Sequence, residues 1–348
     1  MIFVSGGTGL LGSHLLYRLV QEKEQPGDSE KLLAVKRHSS DLEKVKRVFG
    51  YYAGEDADPD ELSGLFGRIQ WVDANLLNQA EMEEVLEGVD QVYHCAAMVS
   101  FQPRDRQKMI RFNTHATESL VNACLSVGVE KLVHVSSNSA IGRPPEGSPA
   151  TESMIWSPTK TSTGYAESKF RSEMEVWRGI EEGLKAVIVN PSIILGSGFW
   201  KRGSSSMFSR VAGGLKYGAP GITGYVGVED VVSVMIRLMN SDISGERFIL
   251  NAGNYSFLEV FRMIGQALGV SRELKQVSPA LLRNLSRLDA LAGFFGGKRH
   301  ITSEHIRAAF GEVQFSSEKV QAALGMDFSP ISEVIGKVAT HYRKDFPL

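Results

Sequence analysis

Apolar positions along the chain alternate between two spacings. Short β-branched runs recur at residues 2–4, 32–35, 69–72, 89–94, 131–135 and 185–189, each of the length of a buried strand. Between them, at residues 11–21, 79–86, 110–127 and 166–181, apolar residues return every three or four positions, the period of a helix with one buried face. Strand, helix and strand in succession force right-handed crossovers. The pattern therefore predicts an α/β fold whose doubly wound parallel sheet is covered by helices on both faces. An acidic, turn-rich stretch at residues 50–67 breaks the rhythm and reads as a surface insertion.

From Pro191 the pattern changes to a Gly/Ser-rich stretch, a strand-like run at residues 247–250 and then helical segments to residue 348. Residues 1–190 are thus expected to form the sheet-bearing domain, with 170–190 completing the sheet. Residues 191–348 form a smaller, mostly helical region, with the chain returning to the first domain near 225–240. That region would shape a substrate pocket in the crevice between the two. Two features of it stay open on sequence alone. The apolar residues Leu281, Leu282, Leu285, Leu288, Leu291, Phe294 and Phe295 fit core packing better than a lid or a membrane-surface face, while Phe199, Trp200, Met207 and Phe208 fit a movable pocket wall or a loop anchor equally well.

With 348 residues, 43% of them hydrophobic and 22% charged, the chain can bury a sizeable core. Its 38 basic and 40 acidic side chains nearly cancel, which argues against nucleic acid as a partner and for a small-molecule substrate. Cys95 and Cys124 sit in apolar surroundings without metal-ligand spacing, and the eight histidines are scattered, so no metal and no disulfide are expected. The apolar N-terminus is broken by glycines and lacks a basic leader, and no run reaches the roughly 18 apolar residues of a membrane span. A cytoplasmic enzyme that does not engage a membrane is the expectation.

Gly6, Gly9 and Gly12 of SGGTGLLG follow the first strand and open the first helix, where a pyrophosphate needs a tight turn and close backbone approach. The amides of Leu10 and Leu11 would face those phosphates. The second strand ends in Lys36-Arg37-His38-Ser39, without the acid that usually accepts both ribose hydroxyls of NAD. Lys36, Arg37 and Ser39, about 20 residues beyond the glycines, instead suit a 2′-phosphate, which favours NADP(H) and leaves NAD(H) open. Asp73 and Ala74 after the third strand, and Ala96 and Ala97 after the fourth, would line the adenine and the sheet side of the cofactor.

Tyr165 and Lys169 in YAESK stand four residues apart, on one face of a helix, where an ammonium would lower the phenol pKa towards neutrality and make it a usable proton donor or acceptor. Ser136 and Ser137 end the fifth strand, whose tip points to the same crevice as the glycine turn. In chain order GGTGLLG, VDANL, HCAA, Asn113, VSSNSAIG, YAESK, NPSIILG and VGVEDVV resemble the landmarks of the extended short-chain dehydrogenase/reductase family, in its epimerase/dehydratase and dihydroflavonol 4-reductase-like branches. The likeness covers nearly the whole chain. It implies a Rossmann-type fold, Tyr165 as proton donor or acceptor, Lys169 on the nicotinamide ribose, and Ser137 rather than Ser136 holding the reacting oxygen. It further implies Asn113, Ser136, Pro191 and Ser192 beside the cofactor, and a homodimer through a four-helix interface.

Two departures from the sugar-epimerase pattern, the basic Arg37 and the Ala140-Ile141 step before Gly142, favour net interconversion of a carbonyl and an alcohol. An NAD-dependent nucleotide-sugar epimerase or dehydratase remains the alternative, and a cofactor-sensing protein without turnover a more distant one.

Overall fold

The computed structural model describes residues 1–22, 31–53, 58–159, 162–270, 273–280, 306 and 309–347. In chain order the first part holds β1 (Ile2–Ser5), α1 (Leu10–Glu22), β2 (Leu32–Lys36), α2 (Glu43–Ala53), α3 (Pro59–Gly67), β3 (Ile69–Asp73), α4 (Gln79–Val85), β4 (Gln91–His94), α5 (Arg106–Val127), β5 (Lys131–Val135), α6 (Gly164–Glu181) and β6 (Ala186–Pro191). Then follow β7 (Ile193–Leu195), α7 (Ser206–Ala212), β8 (Tyr217–Gly218), β9 (Ile222–Gly227), α8 (Val228–Met239), β10 (Glu246–Leu250), β11 (Gly253–Ser256), α9 (Phe257–Leu268), β12 (Lys275–Gln276), α10 (Glu318–Leu324) and α11 (Ile331–Asp345). The apolar run from Leu281 to Phe295 lies outside the described residues.

Seven parallel strands make the main sheet, in the order β10-β6-β5-β4-β1-β2-β3. Alternation along each strand sends successive side chains to opposite layers. Val4, Ala34, Tyr93, Val133 and Val187 pack under α1 and α8, whereas Phe3, Leu33, Val92, Leu132 and Ile188 pack under α4, α5 and α6. The chain returns to this sheet after residue 191: α8 joins the first layer and β10 pairs with β6, Phe248 facing Val189. Beyond it, β7, β9 and β11 form a three-stranded sheet and β8 with β12 a two-stranded one.

Strand order reverses at β1, which pairs with β2 on one side and β4 on the other. Such a reversal opens a crevice at the C-terminal ends of the strands, the natural ligand position of a doubly wound sheet.

The structure corrects one expectation and decides one open alternative. Residues 50–67 are no mere surface insertion. α2 runs through residue 53 and α3 spans 59–67, with Tyr51 and Leu65 buried, so the described part of this segment packs on the core while Asp58, Asp60 and Glu61 stay exposed. Phe199, Trp200, Met207 and Phe208 are also buried, in a cluster with α9 and α11, which makes them anchors of the loop rather than a movable wall.

Candidate active site

The turn after β1 closes tightly. Gly6 has φ +73° and a Cβ there would stand 2.6 Å from the Ala96 amide nitrogen, while a Cβ on Gly12 would stand 2.2 Å from the Gly6 carbonyl oxygen. Gly9 donates to that carbonyl at 2.9 Å, and Ser13 to the Gly9 carbonyl at 3.0 Å. Leu10 and Leu11 open α1, whose first turn holds no acidic residue. A helix N-terminus of amides with no acidic residue in its first turn, entered through a turn of glycines, fits the pyrophosphate of a dinucleotide.

At the tip of β2, Arg37 is exposed, and its amide and carbonyl close a turn with Ser40 at 3.0 and 2.8 Å. Ser39 is exposed on the same turn. Lys36 and His38 both approach the Asp73 carboxylate at 3.5 Å across the β2–β3 register, so Lys36 divides its charge between Asp73 and the crevice, leaving Arg37 as the open cation of the pair. Ala74 is buried, and Ala96 is drawn to β1 by a 3.3 Å bond from its amide to Ser5 Oγ, alongside Ala97.

Tyr165 and Lys169 lie on α6, which Thr163 caps by accepting from the Ala166 amide at 3.0 Å. Lys169 is buried and donates from Nζ to the Val135 carbonyl at 2.9 Å, at the end of β5. Ser137 follows β5 directly. Its hydroxyl accepts from Ser139 Oγ at 3.0 Å and from the Ser139 amide at 3.2 Å, donates to Asn138 Oδ1 at 3.3 Å, and lies near enough to Tyr165 to oppose the rise of the phenol pKa. The crevice thus brings together Ser137, Tyr165 and Lys169, the three residues singled out from sequence, with the Phe101 ring 6.1 Å from that of Tyr165.

The electrostatics differ from the expectation of a lowered phenol pKa. Burial pushes Tyr165 above its ordinary value, and the neighbouring Ser137 hydroxyl draws it only partly back. Lys169 is brought down to about 8 by burial, against the opposing influence of Cys95 and Glu173. Removing water costs the phenolate more than its neighbours return, so Tyr165 is a neutral phenol at neutral pH.

Other predicted residues stand one step back. Asn113 is buried with its side chain committed, accepting from the Met98 amide at 2.7 Å and donating to the Met98 carbonyl and Ser168 Oγ at 3.0 Å each. Ser136 turns away from the crevice and donates to Glu173 at 2.8 Å. Pro191 ends β6, and the buried Ser192 donates its amide to the Leu250 carbonyl at 2.9 Å.

Sequence reasoning missed the buried polar groups behind the site. His94 is held between Ser5 and Thr117 at 2.6 and 3.1 Å, and burial lowers its pKa to about 3. His134 lies within β5, as the predicted strand over 131–135 has it, and is likewise neutral through burial. Glu173, fully buried, is Lys169 plus four, a position the Tyr165–Lys169 spacing already marks. Among the described residues, no group of three or more acidic, histidine or cysteine side chains is placed to hold a metal ion, and no helix is long and apolar enough to cross a membrane.

A family model described as "NAD dependent epimerase/dehydratase family" matches residues 2–253. Sterol demethylase protein B of Methylococcus capsulatus (strain ATCC 33009 / NCIMB 11132 / Bath) is 28% identical over 292 residues, covering 82% of this chain and 80% of that protein. A candidate dihydroflavonol 4-reductase of Synechocystis sp. (strain ATCC 27184 / PCC 6803 / Kazusa) is 30% identical over 194 residues, covering 56% of this chain and 49% of that one. Among solved structures, that of a protein named gox2253 superposes with a TM-score of 0.77 at 26% identity, covering 100% of this chain and 99% of the other.

Proposed function

The chain belongs to the NAD dependent epimerase/dehydratase family, as an NAD(P)-dependent enzyme of the extended short-chain dehydrogenase/reductase type, and we propose that it is an NADP(H)-dependent oxidoreductase interconverting a carbonyl and an alcohol on a small organic substrate. The reading rests on one observation above all: Ser137, Tyr165 and the buried Lys169 stand together beyond the end of β5, and burial holds Tyr165 as a neutral phenol. A neutral phenol is the form that can give a proton to a nascent alkoxide. Membership beside a protein named as a reductase, and a basic rather than acidic tip to β2, support net reduction with NADPH.

With the carbonyl oxygen seated between Ser137 Oγ and Tyr165 Oη, Ser137 donates a hydrogen bond that orients it, and Tyr165 transfers its proton as the alcohol forms. The Lys169 ammonium stabilises the phenolate left behind. The turn of Gly6, Gly9 and Gly12 would hold the pyrophosphate of a reduced nicotinamide dinucleotide and Arg37 any 2′-phosphate, and that cofactor would supply the hydride. Residues 191–348 shape the substrate side, and a homodimer through α5 and α6 is part of the same proposal.

The test is the affinity of purified protein for NADPH and NADH, after a denatured sample has been checked for carried-over cofactor. NADPH is expected to bind at least about tenfold more tightly, the worth of one charge-assisted phosphate contact, and Arg37→Ala to remove the difference. Tightly retained NAD would instead move the search to redox-neutral epimerisation or dehydration of a nucleotide sugar.

A further inference from the structure

One turn beyond Lys169 on α6, Glu173 carries a fully buried carboxylate, and each contact of that carboxylate leads back to the reaction centre. Its Oε2 accepts from Ser136 Oγ at 2.8 Å and from Asn190 Nδ2 at 3.0 Å. The same Asn190 nitrogen donates to the Ser137 carbonyl at 3.0 Å, so one amide fixes the carboxylate and the Ser137 peptide together. On the other side Oε1 pairs with Arg247 Nη1 at 3.2 Å. The rest of that guanidinium closes on the segment leading into Tyr165: Nε and Nη2 donate to the Glu152 carbonyl at 2.9 and 2.6 Å, and Nη2 to the Met154 carbonyl at 2.9 Å.

A carboxylate sealed at this depth carries a desolvation cost that a well-packed apolar side chain would avoid. Its placement therefore calls for a role other than stability. Four separate elements meet on it: α6, the β5 tip, β6 and β10. Of the titratable groups that face Lys169, His94 on β4 and His134 on β5 are neutral, and the Cys95 thiol after β4 is pushed up to about 12 by burial and carries no charge near pH 8. Tyr165 on α6 is a neutral phenol, which leaves Glu173: burial pushes its carboxyl above the usual range, and the Ser136, Arg247 and Asn190 contacts oppose that and favour the charge that the ammonium feels.

We propose that Glu173 is a positioning residue of the reaction centre: it holds the Ser137 peptide through Asn190, ties the loop before Tyr165 to α6 through Arg247, and sets a negative charge one turn from the Lys169 ammonium. The inference rests on reading Ser137, Tyr165 and Lys169 as that centre. Glu173 needs no contact with substrate to act in this way.

The experiment follows the Lys169 ammonium directly, by NMR of the full chain labelled at lysine, with Lys169→Met identifying its signal. In Glu173→Gln the midpoint of that titration is expected to fall by about one pH unit, and in Glu173→Asp, which keeps the charge, to stay near the wild-type value. Turnover of Glu173→Gln should fall about 10- to 100-fold, the cost of a displacement on the ångström scale, while cofactor affinity changes little. An unchanged Lys169 midpoint in folded Glu173→Gln overturns the proposal, whatever happens to turnover, because a purely structural carboxylate would leave it in place. If that variant does not fold, Arg247→Met decides: stripped of its counter-ion, Glu173 takes up a proton and the midpoint falls, and a constant midpoint again overturns the idea. A wild-type chain that binds no NADPH and reduces no carbonyl compound sinks the functional reading, while the titration still decides the case of Glu173.

Discussion

Lys169 is 5% exposed, and its ammonium reaches the Val135 carbonyl at 2.9 Å. Burial holds its folded-state pKa at about 8, against 10.5 when solvated. The folded chain therefore binds this proton less readily than the unfolded one, a penalty present in full below pH 8 and relieved as pH rises from about 8 to 10.5. That gap corresponds to about 3 kcal/mol at neutral pH. Lys169→Met is accordingly expected to raise stability at pH 7 by up to about 3 kcal/mol, less whatever is lost at the Val135 carbonyl, and to lose that advantage by pH 10. Activity should vanish in the same variant. Denaturant melts at the two pH values check it, and a variant no more stable than wild type at pH 7 would show that the ammonium is better solvated than its burial implies.

At the scale of elements, the turn joining β1 to α1 decides whether strand, helix and cofactor can meet. A methyl group on Gly12 would lie 2.2, 2.7 and 2.8 Å from backbone atoms of Gly6 and Gly7, none of which can rotate aside. Gly12→Ala should therefore cost about 1–3 kcal/mol and weaken dinucleotide binding at least tenfold. Gly50, in the interior of α2 with nothing within 4 Å of its virtual Cβ, is the internal contrast: Gly50→Ala should stabilise by about 0.5–1 kcal/mol and leave binding alone. Calorimetry of both variants with and without cofactor separates the two cases.

The same elements explain what could be read in advance. Gly6 to Gly12 and Tyr165 with Lys169 are local signals, a turn and one helix face, and the alternation of Phe3 with Val4 or Leu132 with Val133 already encodes two layers. Glu173 was out of reach because its partners come from residues 136, 190 and 247, joined only when β5, β6 and β10 align. The phenol pKa was misjudged for a related reason: sequence shows the neighbouring ammonium but not the loss of water around Tyr165. Residues 50–67 misled because their acidic composition is plain in the sequence and the burial of Tyr51 and Leu65 is not.

Across the whole molecule, the helix that ends the described chain is bound to the first part of the sequence through one carboxylate. Asp345 on α11 accepts from Tyr51 of α2 and from Trp200 Nε1 at 2.6 Å, with Arg47 at 3.6 Å, and only 16% of its side chain is exposed. Aromatic contacts continue the junction: Tyr51 stacks on His341 at 4.7 Å, and Trp200 meets Tyr342 edge-on at 5.1 Å. Asp345→Ala would leave a phenol and an indole N–H without their acceptor in a site where water is scarce, at a cost of about 2–4 kcal/mol. The glycine turn and Arg37 lie on other elements, so NADPH affinity should stay within about twofold of wild type. Thermal melts and cofactor titration of the same variant test both halves. A full-strength melt would mean that the stacked rings alone carry the junction, whereas a loss of affinity parallel to the loss of stability would mean that α11 and the nucleotide crevice fold as one cooperative unit.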